Sequence, residues 1–324
     1  MLINRNRPWH LSENAVTPEE LYLNRRDFMK AGAALGMMSF LPFPAVAQDA
    51  AIKPETSLTY DPAPNIYSTR EQHTRYEAAT TYTNFYEFGT DKGDAAEKAQ
   101  KLRTTPWTIE VDGDVVRPGR YDIDDLIDRT QLEERIYRLR CVEAWSMVIP
   151  WIGIPLAAVI DRVVPTTKAK YIRFETLYDP QQMPGQRSSV LDWPYVEGLR
   201  MDEARHPLAL LAVGMYGKEL RPQNGAPVRL VVPWKYGFKS VKSIRRFTFT
   251  ETRPVSFWEQ LNRREYGFWA NVNPHVPHPR WSQETERLLG SNKNVATQLF
   301  NGYGPQVAGL YDGMFSGDER KLFF

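Results

Sequence analysis

Cys141 is the one cysteine in 324 residues, and it stands in "RLRCVEAWSMVIPWIG", Arg138 to Gly153. A thiolate is a nucleophile and a soft metal ligand, and neighbouring positive charge favours that form. Arg138 and Arg140 flank it in sequence. The residues alone leave three readings open: a small buried hydrophobe, a nucleophile, or a single soft bond to a metal. Glu143 adds a carboxylate two positions on. Zinc and iron–sulfur centres are disfavoured, because one thiol and scattered histidines lack their ligand spacing. "HVPH", with His275 and His278, is not a helical i,i+4 pair. No histidine is singled out as partner for a nucleophilic cysteine.

Two further stretches carry chemistry. "PQNGAPVRLVVPWKYGFKSVKSIRR" (Pro222 to Arg246) places a turn at Asn224-Gly225, a strand opening at Arg229, and Lys235, Lys239, Lys242, Arg245 and Arg246 close behind. Turn amides with Lys and Arg make an anion or phosphate site. The competing reading is a solvated basic hairpin. "EYGFWANVNPHVPHPRW" (Glu265 to Trp281) is either an ordinary packed loop or the wall of an apolar pocket with a polar tip at Tyr266.

Elements that could position these residues follow from periodicity. "AAEKAQKL" predicts a short helix. "WTIEVDGDV" predicts a strand with Trp107, Ile109 and Val111 inward, turning at Asp112-Gly113. "DIDDLIDR" opens a short helix on Asp122. "RIYRLRCVEA" reads as a strand running into a loop. "PLAAVIDRVV" puts Pro155 in a first helical turn, with Leu156, Val159, Ile160 and Val163 on one face. "KYIRFETLYD", "PVRLVVPWKYG" and "IRRFTFTET" read as strands. Irregularly interleaved strands and short helices predict a mixed α+β domain, not a doubly wound parallel sheet.

Charge limits the partners. Lys+Arg number 41 and Asp+Glu 39, which argues against nucleic-acid or general anionic-membrane binding. The first residues read as a targeting segment. Paired Arg25 and Arg26 precede "AGAALGMMSFLPFPAVA", an apolar run too short and proline-broken to span a membrane well. The expectation is a twin-arginine signal over 1–47, cleaved after Ala47, and export of an already folded chain. An extended arm is expected over 48–80 and a single catalytic domain over 81–324. In an oxidising compartment a lone exposed thiol invites oxidation. Cys141 is therefore expected to be buried or occupied.

"TNFYEFG", "RIYRLRCVEAWSMVIPWIGIPL", "ETLYDPQQMPGQ", "PQNGAPVRLVVPWKYGFKSVKSI" and "EYGFWANVNP" together resemble the bacterial periplasmic protein-methionine-sulfoxide reductases. These are molybdopterin-dependent enzymes with the sulfite-oxidase fold. The resemblance spans nearly the whole chain and implies a mixed-sheet α+β molybdopterin-binding domain with no added dimerisation domain. It implies one molybdenum on one molybdopterin, with Cys141 as the metal's thiolate ligand. Cofactor contacts carried over by motif are Thr83, Tyr86, Glu87, Thr176, Asn224, Arg229, Ser240, Val241 and Lys242. Asn84 and Glu143 would lie by the metal and Tyr266 by the substrate.

The implied reaction reduces methionine sulfoxide, free or in oxidised periplasmic proteins, to methionine. Its implied electron donor is a haem-bearing integral-membrane subunit, and the catalytic subunit is expected to be a monomer. A sulfite dehydrogenase of the same fold is the nearest alternative, and an exported anion-binding protein the other.

Overall fold

The computed structural model describes residues 55–63, 65–291, 293–314, 320 and 323. The expected leader over 1–47 lies outside the described residues. Twelve strands are present among the described residues. The first four are β1 Thr108–Gly113, β2 Gly119–Asp122, β3 Glu133–Arg140 and β4 Trp145–Pro155. Then come β5 Tyr171–Thr176, β6 Val196–Arg200, β7 Leu210–Met215 and β8 Lys218–Glu219. Last are β9 Arg229–Val231, β10 Ile244–Thr250, β11 Thr285–Leu288 and β12 Asn294–Ala296.

They form two sheets. The smaller is ordered β2-β1-β10-β5-β6, with β1 parallel to β10 and the other pairs antiparallel. The larger runs β12-β11-β4-β7-β8, with β3 on β4 and β9 on β7. Parallel and antiparallel pairs share each sheet, so the mixed α+β expectation holds. Helices are short. The longest among the described residues, Leu156–Val163, buries Leu156, Val159, Ile160 and Val163 on one face, as its spacing dictates. Pro155 stands at its N-cap rather than inside its first turn.

β4 is the strand on which the large sheet is built. Ten of its residues are buried in succession, the pattern of a strand covered on both faces. It pairs along its length with β3, from Arg140↔Ser146 to Glu133↔Gly153. Its other edge is shared: β11 pairs at Trp145 and Ser146, and β7 from Trp151 onward. Pro150, which has no N–H to donate, falls in the gap between them. Without a period-2 alternation, this stretch gives no strand signal in the sequence.

The segment from 55 to 75 lies against the larger sheet. Leu58, Asp61, Thr69 and Thr74 donate backbone hydrogen bonds to Gly217, Leu132, Ile136 and Val148. A helix, Tyr76–Thr81, follows where the sequence suggests extended chain through residue 80.

Two buried ion pairs tie the aromatic loop to this frame. Lys235 Nζ reaches Glu203 Oε1 at 2.6 Å, the Trp269 carbonyl at 2.8 Å and Asn271 Oδ1 at 2.8 Å. Lys239 Nζ reaches Glu197 Oε2 at 2.6 Å and the Phe268 carbonyl at 2.7 Å. Removing one partner of such a pair strands the other charge away from water. Glu203→Gln is therefore expected to cost about 3–5 kcal/mol of stability. Urea denaturation checks this, with Lys235→Met/Glu203→Leu less destabilised than the single change.

Candidate active site

Cys141 sits at the tip of the β3–β4 hairpin. Its N–H donates to the Trp145 carbonyl at 2.9 Å, and its carbonyl accepts from the Ala144 N–H at 3.1 Å. Ala144 takes the left-handed conformation at φ 61°, the residue on which a three-residue hairpin loop turns. The turn carrying Cys141 and Glu143 is held from behind. The Trp281 indole and the Gln283 amide each donate to the Val142 carbonyl at 2.8 Å. Arg140 donates to the Cys141 carbonyl and to Glu286.

The two arginines do not activate the thiol as the sequence suggests. Arg138 pairs with Glu71, and fully buried Arg140 pairs with Glu286. Burial pushes the Cys141 thiol up to about 12, and the Glu143 carboxylate adds to the rise. Lys92 and Arg140 oppose it without winning. Without a bound cation the thiol stays protonated. A soft metal supplies the positive charge that makes it a thiolate.

Cys141 opens into a cleft. Thr83, Asn84, Tyr86 and Glu87 line one side. Their segment is anchored by Phe85 and Phe88, which pack edge-to-face at 4.9 Å in a small apolar core with Ala95, Ala99, Leu102 and Met183. Every third residue thus packs into that core, and the pairs between them line the cleft. Asn84 Nδ2 lies 3.5 Å from Cys141 Sγ and 3.0 Å from Glu143 Oε2.

Asn224, Arg229 and Lys242 line the floor. Gly225, at φ +98°, lets this turn close: a Cβ there would lie 2.8 Å from the Lys242 side chain. Arg229 is buried over the Trp151 ring, 4.8 Å from its centroid. Its guanidinium donates to the Asn224 carbonyl at 3.0 Å, and no carboxylate pairs with it among the described residues. Burial lowers its pKa to about 9. Glu87 is raised to about 7, chiefly by burial and against the pull of Lys242. Lys242 is lowered to about 8, by burial first and then by Arg229.

The sequence-expected residues divide clearly. Cys141, Thr83, Asn84, Tyr86, Glu87, Glu143, Asn224, Arg229, Lys242 and Tyr266 all line this cleft. Thr176, Ser240 and Val241 are not among its lining residues and brace its wall instead. Thr176 Oγ1 donates to the Lys242 carbonyl at 2.9 Å, and the Ser240 hydroxyl accepts from Val232 N. Leu230 N donates to the Val241 carbonyl at 2.8 Å.

The basic run also splits. Lys235 and Lys239 are in the buried ion pairs described above. Arg246 pairs with Glu110 and Asp112 on the smaller sheet, and Arg245 lies over Trp107. Of the five cations crowded in sequence, Lys242 alone lines the cleft. Sequence reasoning missed Trp151, Trp258 and Tyr195 in the wall, and Lys92 at Glu143. A tryptophan in an apolar run carries no signal that separates wall from core.

Three buried polar atoms in the lining have no hydrogen-bond partner: Thr83 Oγ1, Asn224 Oδ1 and Trp151 Nε1. Orphans of this kind are rare in native proteins and mark ligand positions. Together with a carboxylate-free buried guanidinium and a lone thiol, they fit a polar, anionic group that carries a soft metal.

Comparison with known proteins agrees. A family model described as the oxidoreductase molybdopterin binding domain matches residues 96–258, which makes this chain a molybdopterin-binding oxidoreductase. The protein-methionine-sulfoxide reductase catalytic subunit MsrP of Pseudomonas syringae pv. tomato is 54% identical over 319 residues, 93% of this chain and 95% of that one. The subunit of the same name from Xanthomonas axonopodis pv. citri is 50% identical over 323 residues, 97% and 98%. The chain belongs to this family of protein-methionine-sulfoxide reductase catalytic subunits. Among solved structures, the sulfane dehydrogenase SoxCD of Paracoccus pantotrophus aligns with a TM-score of 0.41 and 18% identity, over 50% of this chain and 42% of that one.

Burial of the thiol has a direct readout. In cofactor-free protein, a Cys141 pKa raised from 9.0 to about 12 leaves about a thousandfold less thiolate at neutral pH than an ordinary cysteine has. Alkylation by iodoacetamide is expected to be slower by that order. It should rise about tenfold per pH unit through the alkaline range. Mass spectrometry of the Cys141 peptide measures it.

Proposed function

We propose that this chain is a molybdenum-dependent reductase that converts methionine sulfoxide, free or in proteins, to methionine. Family membership supports the reaction. The observation that carries the assignment to this cleft is the meeting of Cys141, Asn84 and Glu143 within hydrogen-bond reach of one another, beside the Tyr86 and Tyr266 rings.

Cys141 would hold the metal. Asn224, Arg229 and Lys242 would receive the phosphate end of a single pterin, with Thr83, Tyr86 and Glu87 on its flank. Thr176, Ser240 and Val241 would fix the strand and loop behind them. When bound, the molybdenum–molybdopterin group supplies two-electron oxygen-atom exchange at the metal.

The protein's own part is placement and proton supply. Burial raises the Tyr86 and Tyr266 phenols well above their ordinary range, and the Glu143 charge reinforces both shifts. Each therefore stays protonated and presents an O–H donor. A sulfoxide oxygen is a strong acceptor, so these phenols orient it. Trp258 stands 5.0 Å from Tyr86 and 5.2 Å from Tyr266 between ring centroids. This aromatic wall suits the methyl-thioether end of the substrate through sulfur–aromatic contact. Overall, the sulfoxide takes up two electrons and two protons and leaves as thioether and water.

The paired arginines and the small-residue run before Ala47 support export by the twin-arginine route and work in the periplasm, on oxidised proteins there. The relatives are named as catalytic subunits, which implies a partner. We take that partner to be a haem-bearing membrane protein that delivers electrons, and the catalytic chain to be a monomer of the sulfite-oxidase fold. The aromatic substrate wall favours a thioether-like product over the small dianion of a sulfite dehydrogenase.

The test is steady-state turnover of methionine sulfoxide and of sulfite by one molybdenum-loaded sample. Turnover of sulfite alone would overturn the reading. Tyr266→Phe, at full molybdenum content, is expected to lower kcat/KM for methionine sulfoxide by about 10²-fold, the loss of one preorganised donor.

A further inference from the structure

Three donors meet on one oxygen of Glu143. Lys92 Nζ lies 2.7 Å from Oε2, the Trp145 indole nitrogen 2.9 Å and Asn84 Nδ2 3.0 Å. Oε1 receives none of them. The Lys92 and Glu143 side chains are 18% and 8% exposed, so the pair is largely withdrawn from water. Lys92 is the one charged donor of the three. A carboxylate saturated on one oxygen cannot turn without giving up all three bonds, and its second oxygen is left to a ligand.

The loop that carries Lys92 is built to hold it there. Thr83 N donates to the Lys92 carbonyl at 3.0 Å. Asp94 accepts from Asp91 N at 3.1 Å and pairs with Lys98 at 2.7 Å. Gly89, at φ +150°, makes room for that aspartate: a Cβ there would lie 2.1 Å from Asp94 Oδ2. The same Asn84 amide that donates to Glu143 also faces Cys141 Sγ, as does the Glu143 N–H, each at 3.5 Å. The direction of the Glu143 carboxylate and the surroundings of the thiol are therefore set together.

We propose that Lys92 is a positioning residue for the reaction. It clamps Glu143 through Oε2 and reserves Oε1 for the substrate or for the water that brings protons to it. This rests on the reading of the cleft given above.

The test compares Lys92→Met and Lys92→Arg in the full-length, molybdenum-loaded enzyme. Molybdenum content is expected to be unchanged in both. In Lys92→Met, kcat for methionine sulfoxide should fall about 10- to 100-fold with KM within about twofold, the scale of a misplaced catalytic group. Lys92→Arg should restore most of it. The Trp145 indole ¹⁵N–¹H resonance, assigned with Trp145→Phe, should move in Lys92→Met and return in Lys92→Arg.

An unchanged kcat, an equal loss in both variants, a loss of molybdenum, or an indole resonance that stays in place would each overturn the proposal. If the loaded wild-type enzyme turned over no methionine sulfoxide, the functional reading would fall. The indole resonance would still decide whether Lys92 fixes Glu143.

Discussion

The pairing of β3 with β4 is the constraint on which the site depends. Eight consecutive register pairs, Glu133↔Gly153 to Arg140↔Ser146, leave five residues, Cys141 to Trp145, to turn the chain, and Cys141 is the first of them. A thiol at the tip of a hairpin anchored in a buried strand has little freedom of position. Asn84, Glu143 and Lys92 are then arranged around a fixed point, which is what a metal ligand requires.

Charge is handled in two different ways across the molecule. Lys235 and Lys239 are each matched to a buried glutamate and to backbone carbonyls, so their work is complete within the chain. Arg229 and Lys242 are treated otherwise. Arg229 has only carbonyls and an indole face, and Lys242 shares its surroundings with Glu87, whose pKa burial raises. The first arrangement fixes a loop, and the second leaves positive charge lining the cleft without a matching carboxylate on Arg229. A run of basic residues in sequence therefore holds two functions that only the fold separates.

Much of this was legible in the sequence, but unevenly. The strands with alternating burial, such as Thr108–Gly113 and Tyr171–Thr176, announce themselves by period, and so does the Leu156–Val163 helix. β4 does not, because a strand covered on both faces has no alternation to read and carries two prolines. For the site, the residue types of the cleft and their motif setting could be named in advance. What linear proximity misjudged was electrostatics: Arg138 and Arg140 lie beside Cys141 in sequence but spend their charge on Glu71 and Glu286. Lys92 was invisible because its partner is 51 positions away along the chain, and nothing about an exposed-looking lysine in "TDKGD" points there.

Arg140 ties the start of the thiol turn to chain made much later. Its guanidinium bonds Gln283, Glu286 and Thr297, and Glu286 is 146 residues downstream. Closing a loop of that length is an entropic cost met late in folding. Chain as far as Thr297 must be made before the turn that presents Cys141 can lock in this way. A chain ending before β11 would have the thiol without the bracing that aims it.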